Sequence, residues 1–291
     1  MERRSDRWRF LDTQYGNAFF NMAADEAVVG AVDSGRSLPT VRVFGWRPPA
    51  VSFGYAQRVS REIDPERCRE MGVDVVRRPS GGRAVLHWNE LTYSVVCTGD
   101  DGLLGGSVME TYRKISACLV AGLRLLGVDA TFEPKRQPVV SPRSQSVTSP
   151  CFSSSTQFEV TLEGRKLVGS AQRRIGRMLL QHGSLLIGPE HKRIVDLLPR
   201  GEGKTRERFA RMLDSQTASL QEEMSRPVGF EEVAAALRDG FERTIGTQLV
   251  VEPLSAWETS EAERLAAEKY ATDEWNYQDR EEESQVIRRI V

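Results

Sequence analysis

The sequence predicts a fold of the α/β class, and three observations support this prediction. Short strand-like runs occur in pairs, two helices carry recognisable N-caps, and residues 158–171 alternate in the manner of a hairpin. The chain has 291 residues, of which 40% are hydrophobic, so it can bury the core of one large domain or of two modest ones. We find no internal repeat and no Gly/Ser linker, and we therefore expect a single domain over 1–291.

The N-terminal part is predicted to contain a helix followed by strands. Residues 20–32 favour a helix, and the runs ValArgValPheGlyTrp and AlaValSerPheGlyTyr are typical of two strands that bend around the ArgProPro sequence at 47–49. Asp64 followed by proline predicts the start of a short helix and Gly72 predicts its end. Residues 73–78 then favour another strand.

The middle of the chain combines strands, one long helix and a loop. ArgAlaValLeuHis and LeuThrTyrSerValValCys are typical of strands, and Ser107 with Glu110 forms a capping box that predicts a helix ending at Gly127. From 133 to 150 the chain carries four prolines and many serines without a period, which predicts a mobile surface loop.

A hairpin is predicted after this loop. Apolar and polar residues alternate from Phe158 to Leu162, GluGly predicts a turn, and LysLeuValGlySerAla returns as a second strand. ArgMetLeuLeuGlnHisGlySerLeuLeuIleGly continues the sheet, and residues 190–291 are predicted to be mostly helical. The hairpin would bring the strand of Lys166 alongside the strand that follows Cys151.

Composition argues against several classes of function. The formal net charge is -1 and the charges are spread along the chain, so no basic face for nucleic acid is indicated. No apolar run is long enough to span a membrane, and the charged N-terminal residues do not form a secretory signal. We therefore expect a cytoplasmic protein, and we expect it to be a monomer.

The four cysteines are far apart and form no CxxC pair, which argues against a zinc site and against a disulfide framework. Cys151 precedes Lys166 by fifteen residues. An ammonium group near a thiol lowers the pKa of that thiol and favours the nucleophilic thiolate, so these two residues form a candidate catalytic pair. The alternative is a buried cysteine without a chemical role, which is the commoner case.

A glycine-containing loop is the second candidate feature. The run ArgArgProSerGlyGlyArgAlaValLeuHis, from Arg77 to His87, places two glycines between strands, where backbone N–H groups can approach a ligand closely. The run matches neither the Walker phosphate loop nor the GxGxxG dinucleotide fingerprint, and an ordinary tight turn is the alternative.

Together with four further runs, this loop resembles the lipoate-protein ligase and octanoyltransferase superfamily. The four runs are TrpArgProProAlaValSerPheGlyTyr, GlyArgLysLeuValGlySerAlaGln, GlnHisGlySerLeuLeu and LysTyrAlaThrAspGluTrpAsn, and the motifs span about residues 20–277. The resemblance implies a mixed sheet flanked by helices, in the fold that biotin protein ligases and the catalytic domain of class II tRNA synthetases share.

Within the superfamily the chain is most similar to the LipM-type octanoyltransferases, which move an acyl group through a cysteine thioester. Cys151 followed by phenylalanine resembles their catalytic cysteine, and Arg83 and the run GluLeuThrTyrSerVal also match the transferase pattern. The chain ends soon after the last motif, where many ATP-using ligases carry a further domain. One departure is Trp88, which stands where the family usually has Asp after the loop histidine.

The resemblance implies a two-step acyl transfer that needs no cofactor and no metal. Cys151 would attack the thioester of octanoyl-acyl carrier protein, and a lysine of a lipoyl domain would then take the octanoyl group. An octanoylated glycine-cleavage H protein could serve as the donor instead. Lys166 would favour the Cys151 thiolate and steer the acyl carbonyl. The rival functions are an ATP-dependent lipoate ligase and a noncatalytic lipoyl-domain binding protein.

The resemblance also assigns nine residues to substrate binding: Arg77, Arg78, Ser80, Gly81, Gly82, Arg83, His87, Gly169 and Ser170. The loop residues would form a wall along the acyl chain, and Arg77 or Arg78 would contact the phosphate of the pantetheine arm. His87 would hydrogen-bond near the thioester, and backbone N–H groups around Gly169 would hold the oxyanion. The alternatives are surface salt bridges for the arginines and structural roles for His87 and His182.

Overall fold

The computed structural model describes residues 7–134, 158–199, 203–224 and 226–277. Cys151 and most of the predicted surface loop lie outside the described residues. The strands are β1 (Trp8–Gly16), β2 (Thr40–Trp46), β3 (Ala50–Phe53), β4 (Asp74–Arg77), β5 (Val85–His87), β6 (Glu90–Thr98), β7 (Thr131–Pro134), β8 (Phe158–Leu162), β9 (Arg165–Ile175), β10 (Met178–Leu186) and β11 (Leu249–Val251). The α-helices are α1 (Ala18–Asp33), α2 (Val59–Glu62), α3 (Pro65–Glu70), α4 (Val108–Leu125), α5 (Gly203–Gln216), α6 (Leu220–Glu223), α7 (Phe230–Ile245), α8 (Ala256–Leu265) and α9 (Asp273–Tyr277). Pro189–Leu197 forms a 3₁₀ helix and Ala266–Tyr270 a π-helical turn.

Eight strands form one mixed sheet in the order β11-β1-β2-β6-β10-β9-β8-β7. β11, β1 and β2 are parallel neighbours, whereas every pair from β2 to β7 is antiparallel. A second sheet has the order β4-β3-β5. Residues 78–84, which we call the glycine loop, connect β4 to β5. The mixed sheet and its flanking helices confirm the predicted fold class.

Alternate residues of the central strands point to opposite faces of the large sheet. On one face, which we call the core face, Leu91 and Tyr93 of β6 belong to an apolar cluster with residues of α4 and α7. These two helices approach closely because Gly122 and Gly240 face each other: a Cβ on Gly240 would lie 2.3 Å from the backbone nitrogen of Gly122. The core face therefore supplies a conventional apolar core.

The opposite face, which we call the cavity face, is covered by α1, and α8 packs on α1 in turn. At one end of this face, Val96 and Leu180 form an apolar cluster with Val28 of α1. Farther along the same strands the residues of this face are polar and buried: Arg42, Glu90, Thr92, Ser94, His182 and Ser184. Buried polar groups require partners, so this end of the face is organised for something other than apolar packing.

Helix and hairpin ends follow the local signals in the sequence. Asp64 accepts hydrogen bonds from backbone N–H groups at the start of α3, and Ser107 with Glu110 forms the predicted capping box of α4. The predicted hairpin is present as the antiparallel pair β8 and β9, whose turn residues Glu163 and Gly164 have positive φ values of 51° and 76°.

Three cysteines are buried free thiols: Cys68, Cys97 and Cys118. Burial raises the pKa of Cys68 and of Cys118 to about 12 and raises the pKa of Cys97 as well, so these thiols stay protonated and unreactive. Within the described ranges no helix is long and apolar enough to cross a membrane, and no group of three or more potential metal ligands occurs.

Candidate active site

An open cavity lies on the cavity face, between the central strands, the glycine loop and α1. The space between its walls, counted together with the solvent at its open side, is about 660 Å³. The lining residues are Trp46, Thr92, Lys166, Gly169, Ser170, Ala171, His182, Gly183 and Ser184 of the large sheet, Ser52, Arg78, Gly82, Arg83, Val85 and His87 of the second sheet and its loop, and Met22 of α1.

The register of the strands explains why these residues meet. One row across four neighbouring strands, from β9 to β2, contains Gly169, Ser184, Thr92 and Phe44. The next row on the same face contains Ala171, His182, Ser94 and Arg42. Gly169 and Ala171 on β9 have little or no side chain, and Ser184, Thr92 and Ser94 have short ones, so these positions leave space above the sheet for a cavity.

Arg78 holds the glycine loop in one conformation. Its guanidinium donates to the carbonyl oxygens of Gly81 at 2.8 Å, Arg83 at 2.7 Å and Ser52 at 3.0 Å. Gly82 has a φ of +96°, and a Cβ at this position would lie 2.6 Å from Nη2 of Arg78. The loop therefore needs glycine at 82, and it presents Arg78, Gly82 and Arg83 to the cavity.

Arg77 does not have the position that the resemblance implied. Its side chain is fully buried and is not part of the cavity lining. Its guanidinium donates to the backbone carbonyls of Tyr55, Gln57, Trp275 and Asn276, and so ties β4 to α9. The backbone stays extended for one residue past β4, with the Arg78 N–H donating to the Phe53 carbonyl, and adjacent residues of extended backbone point to opposite sides, so Arg78 faces the cavity and Arg77 does not. Neither a phosphate contact nor a surface salt bridge describes Arg77.

A chain of buried hydrogen bonds connects the glycine loop to α1 and to the large sheet. Oγ of Ser80 lies 2.5 Å from Nε2 of His182, and Nδ1 of His182 lies 3.2 Å from Oδ2 of Asp25. Oδ1 of Asp25 accepts from Arg42 and from Ser94, both at 2.7 Å. Since a carboxylate only accepts, Nδ1 of His182 donates to it, and in the neutral imidazole Nε2 accepts from Ser80.

The charge on Asp25 keeps this network in one arrangement. Burial by itself raises the pKa of Asp25, but Arg42, His182 and Ser94 together hold that pKa below its ordinary value. The sequence of groups, Ser–His–Asp, is that of a hydrolase triad. However, Ser80 is fully buried and does not line the cavity, so a substrate does not reach its hydroxyl. The network instead holds the glycine loop in place against the sheet.

His87 lines the cavity in a separate environment. Its ring stacks on Trp46 with centroids 4.0 Å apart, and its Nε2 lies 2.7 Å from Oγ of Ser52. Nδ1 faces the Glu90 carboxylate at 3.4 Å, which can only accept, so the proton of the neutral imidazole lies on Nδ1 and Nε2 accepts from Ser52. Arg78 also donates to the Ser52 hydroxyl, at 3.2 Å. Burial lowers the pKa of His87, which keeps the ring neutral.

Trp88, which replaces the usual Asp, does not contribute a polar group to this site. Its ring packs against the apolar cluster of the second sheet, with Cζ of Arg193 4.4 Å from the ring centroid. The carboxylate next to His87 comes instead from Glu90, three residues after the histidine.

Lys166 brings a cation to the cavity. Its side chain is buried, and Nζ donates to Oε1 of Glu159 on β8 at 2.8 Å, so the buried charge is compensated. The register of β8 and β9 shifts after Val160, and this bulge allows Lys166 and Gly169 to line one cavity although they are three residues apart. Cys151, the predicted partner of Lys166, lies outside the described residues.

Gly169 and Ser170 lie in the cavity wall. The Ser170 side chain is held in place, because its Oγ is 2.7 Å from the hydroxyl of Tyr93. The Ser170 carbonyl accepts a hydrogen bond from Tyr112 at 2.9 Å. The wall is tightly packed here, since a Cβ on Gly183 would lie 2.5 Å from the carbonyl oxygen of Gly169.

Several residues of the site were not identified from the sequence: Met22, Asp25, Arg42, Trp46, Thr92 and Ser184. A signal was present in β6, where Glu90, Thr92 and Ser94 alternate with apolar residues. Such alternation usually predicts a solvent-facing side. Here the strand is central and buried, so the polar side faces the cavity and α1.

The chain matches the family model described as the lipoyl protein ligase A/B catalytic domain over residues 17–242, and it belongs to that family. Within the family, a relative from Kyrpidia tusciae named octanoyltransferase LipM is 45% identical over 93% of this chain and 98% of its own length. The octanoyltransferase LipM of Bacillus subtilis is 37% identical over 94% of this chain and 98% of its own length. The family predicted from the motifs, including its octanoyltransferase branch, is confirmed.

Solved structures agree with this assignment. A bi-partite lipoate protein ligase of Thermoplasma acidophilum, described with its E2 lipoyl domain, has a TM-score of 0.75 and 25% identity over 93% of this chain and 96% of that chain. A lipoate-protein ligase A bound with ATP has a TM-score of 0.74 and 26% identity over 93% of this chain and 98% of that chain. The lipoate ligase fold predicted from the sequence is therefore confirmed.

Proposed function

We propose that this protein carries an octanoyl group on Cys151, taking it from octanoyl-acyl carrier protein and passing it to a lysine of a lipoyl domain. The observation that carries the proposal is the buried cation Lys166 at one end of a cavity lined largely by apolar and small residues. The names of the relatives, octanoyltransferase LipM, support the same chemistry over nearly the whole chain.

The strand order supports a direction for the acyl chain. Lys166 lies on β9 and Trp46 on β2, with β10 and β6 between them. Three strand spacings of about 4.8 Å give roughly 14 Å, which accommodates an extended eight-carbon chain. We place the acyl carbonyl near Lys166 and the terminal methyl near Met22 and Trp46. Each buried methylene then contributes about 0.8 kcal/mol to binding.

In the first half-reaction the Cys151 thiolate attacks the carbonyl carbon of the donor thioester. The new carbon–sulfur bond forms to Cys151, and the bond to the pantetheine sulfur breaks with its electron pair remaining on that sulfur. A cation close to the site favours the thiolate before attack and the oxyanion after it, which are the roles we assign to Lys166. Arg78 and Arg83 stand at the loop side of the cavity, where the pantetheine arm would enter.

In the second half-reaction the free amine of the acceptor lysine attacks the octanoyl thioester on Cys151. The carbon–nitrogen bond forms, the carbon–sulfur bond breaks, Cys151 leaves as the thiolate, and the nitrogen loses one proton to solvent to give the neutral amide. Exchange between two thioesters is nearly balanced in free energy and the final amide is far more stable, so the cycle needs no nucleotide. A lipoyl domain as acceptor is supported by the archaeal ligase, which is described with its E2 lipoyl domain.

The first test detects the covalent intermediate. We expect the protein to gain one octanoyl mass when it is incubated with octanoyl-acyl carrier protein and measured by intact mass spectrometry. Cys151→Ala should show no adduct, whereas Cys118→Ala, which removes a buried thiol of α4, should react normally. An adduct on Cys151→Ala would place the nucleophile elsewhere. An octanoylated H protein, compared side by side, identifies the preferred donor.

The second test concerns Lys166. Lys166→Met should slow formation of the adduct about a hundredfold, because a donor to the oxyanion is lost. Arg165→Met is the matched control, since its cation is adjacent in sequence but pairs with Glu223 at the surface; it should react within about twofold of wild type. The double variant Lys166→Met/Glu159→Gln avoids leaving an uncompensated buried carboxylate. If it reacts at the wild-type rate, Lys166 has no catalytic role.

The rival function is that of an ATP-dependent lipoate ligase, which the solved ligase A with ATP represents within the same fold. A ligase would release pyrophosphate from ATP when free lipoate or octanoate is added. We expect no such release from this protein, and transfer that proceeds fully without ATP. Pyrophosphate release that depends on octanoate would favour the ligase.

A further inference from the structure

Ser184 of β10 is a buried hydroxyl that lines the cavity and has no hydrogen-bond partner among the described residues. The residue is 4% exposed. The other hydroxyls of the cavity wall are all engaged: Ser52 with His87, Thr92 with Trp46 and Glu90, and Ser170 with Tyr93. A buried polar atom without a protein partner requires an explanation, and a ligand atom is one such explanation.

The position of Ser184 indicates which ligand atom this is. It lies directly opposite Gly169 of β9, on the strand next to the one that carries Lys166. Gly169 has no side chain, so nothing from β9 covers Ser184 in this row. Under the direction proposed above, the acyl carbonyl lies at this end of the cavity, and a methylene chain cannot accept a hydrogen bond. The carbonyl oxygen is therefore the acceptor that fits.

Nδ1 of His87 is the other buried atom of the described cavity wall without a hydrogen-bond partner. It faces the carboxylate of Glu90 at 3.4 Å, so it already has an electrostatic partner within the protein. Ser184 has no such neighbour, which distinguishes it from His87.

We propose that the Ser184 hydroxyl donates a hydrogen bond to the acyl carbonyl oxygen and, with Lys166, stabilises the oxyanion of each half-reaction. This inference rests on the proposed function. When the Cys151 thiolate attacks, the carbonyl π electrons move onto oxygen, which then accepts from Oγ–H of Ser184. When the bond to the leaving sulfur breaks, the electrons return and the carbonyl forms again. Ser184 keeps its proton throughout.

The test uses a matched pair of variants, Ser184→Thr and Ser184→Val, which have nearly the same size and differ in the hydroxyl. The rate of octanoyl-enzyme formation is measured by rapid quench and intact mass. We expect Ser184→Val and Ser184→Ala to be about a hundredfold slower at saturating donor, with KM changed less than about threefold. Ser184→Thr should stay within about tenfold of wild type.

Ser116→Ala is the control, because it removes a buried serine hydroxyl on α4, away from the cavity; its rate should stay within about twofold of wild type. A Ser184→Ala protein that reacts at the wild-type rate would overturn the proposal. Equal rates for the Thr and Val variants would also overturn it, because the hydroxyl would then make no difference to the rate. Ser184→Ala loses no hydrogen bond to a protein group, so its Tm should fall by less than about 2 °C.

A second readout separates failure of this inference from failure of the proposed function. If wild-type protein forms no octanoyl adduct, the proposed function is wrong, and binding of octanoate is then measured by calorimetry. The carboxylate presents the same kind of oxygen to Ser184. Ser184→Ala should bind octanoate about tenfold more weakly than wild type, and equal affinities would overturn the role of Ser184.

Discussion

The two faces of the large sheet are built from alternate residues of the same strands, and they differ in how they are stabilised. On β6, Leu91 and Tyr93 face α4 and α7 in an apolar core, whereas Glu90, Thr92 and Ser94 face the cavity or α1. The core face gains stability from the burial of apolar area. The cavity face depends instead on the satisfaction of buried charges and hydrogen bonds by one another.

This difference has consequences for mutation and for pH. Apolar packing tolerates small changes and is insensitive to protons. A buried network such as Arg42–Asp25–His182–Ser80 is stable while complete and costly when one member is removed. This network also connects the glycine loop to the sheet, through Ser80 and His182.

The largest effect is expected from breaking the network at Asp25. Asp25→Ala leaves the Arg42 guanidinium buried without a carboxylate, so the free energy of unfolding should fall by about 3–5 kcal/mol. Urea unfolding followed by circular dichroism measures this. The double variant Asp25→Ala/Arg42→Met should recover most of the loss. On the core face, Leu119→Ala should cost about 2–5 kcal/mol, while the folded variant keeps its acylation rate. Equal stability of Asp25→Ala and wild type would contradict the comparison.

Acid should lower the free energy of unfolding in two steps. Burial lowers the pKa of His191 from 6.5 to about 4, so the unfolded chain binds the proton first. The stability from neutral His191 is complete above pH 6.5 and is lost as pH falls toward 4, a change of roughly 3 kcal/mol. Asp25, whose pKa is lowered, adds a loss below its ordinary value of 3.8 as pH falls through its folded pKa.

His191→Gln separates the first step from the second. This residue lies in the 3₁₀ helix, 2.8 Å from Thr217, and does not line the cavity. The variant should show a flatter dependence of unfolding free energy on pH between 6.5 and 4 when urea unfolding is repeated at several pH values. An unchanged slope would mean that other groups, such as His87 with its lowered pKa, account for it.

The position of the glycine loop can be tested through a glycine beneath it. A Cβ on Gly54 would lie 2.1 Å from the carbonyl oxygen of Gly82, so Gly54→Ala must move the loop. A shift of about 1 Å at a site typically costs about a hundredfold in rate, and the octanoyl transfer assay should show this loss. Gly81, which was predicted to contact the substrate, does not line the cavity, and a Cβ on it would meet no atom within 4 Å, so Gly81→Ala should change the rate by no more than about fivefold. Similar losses of rate in the two variants would show that the rate does not depend on the position of the glycine loop.

The smallest effect concerns chain length. Met22 closes the cavity from α1 at the end that we assign to the terminal methyl group. Met22→Val should admit a longer chain and shift the ratio of decanoyl to octanoyl transfer by about fourfold per added methylene. Competition between the two acyl carrier proteins, resolved by mass, measures the ratio. An unchanged ratio would place the end of the acyl chain elsewhere.

Much of the local structure could be predicted because its causes are local. The capping groups of α3 and α4 and the β8–β9 turn depend on residues a few positions apart, and the sequence displays them directly. The motif order was specific enough to identify the family and its octanoyltransferase branch, which the relatives confirm. Gly82, Arg83 and Lys166 line one cavity, whereas Ser80 and Gly81 do not, and the roles of all these residues in transfer remain predictions.

The prediction that Arg77 contacts the substrate was wrong. Neighbouring side chains of extended backbone point in opposite directions, so a shift of one residue decides which arginine faces the cavity. Arg77 and Arg78 have the same chemistry, and sequence alone did not show which of them faces the site. Arg42, Asp25 and Ser184 were missed for a related reason. Each lies on an element that is mostly apolar, and its surroundings in the folded protein include residues from other elements.

The sequence by itself determined the capped helices, the β8–β9 hairpin and the family, because these depend on residue type and short spacing, whereas the chemistry of thiol, cation and glycine loop stays a prediction. Only the tertiary structure decided that Ser80, His182, Asp25 and Arg42 form one braced network, and that the Ser184 hydroxyl faces the cavity without a protein partner. Strand order and register place Arg42, His182 and Ser184 on one face of the sheet, against α1 and the glycine loop. Ser80 and His182 are 102 positions apart, and His182 and Asp25 are 157 positions apart, so no local signal encodes these contacts.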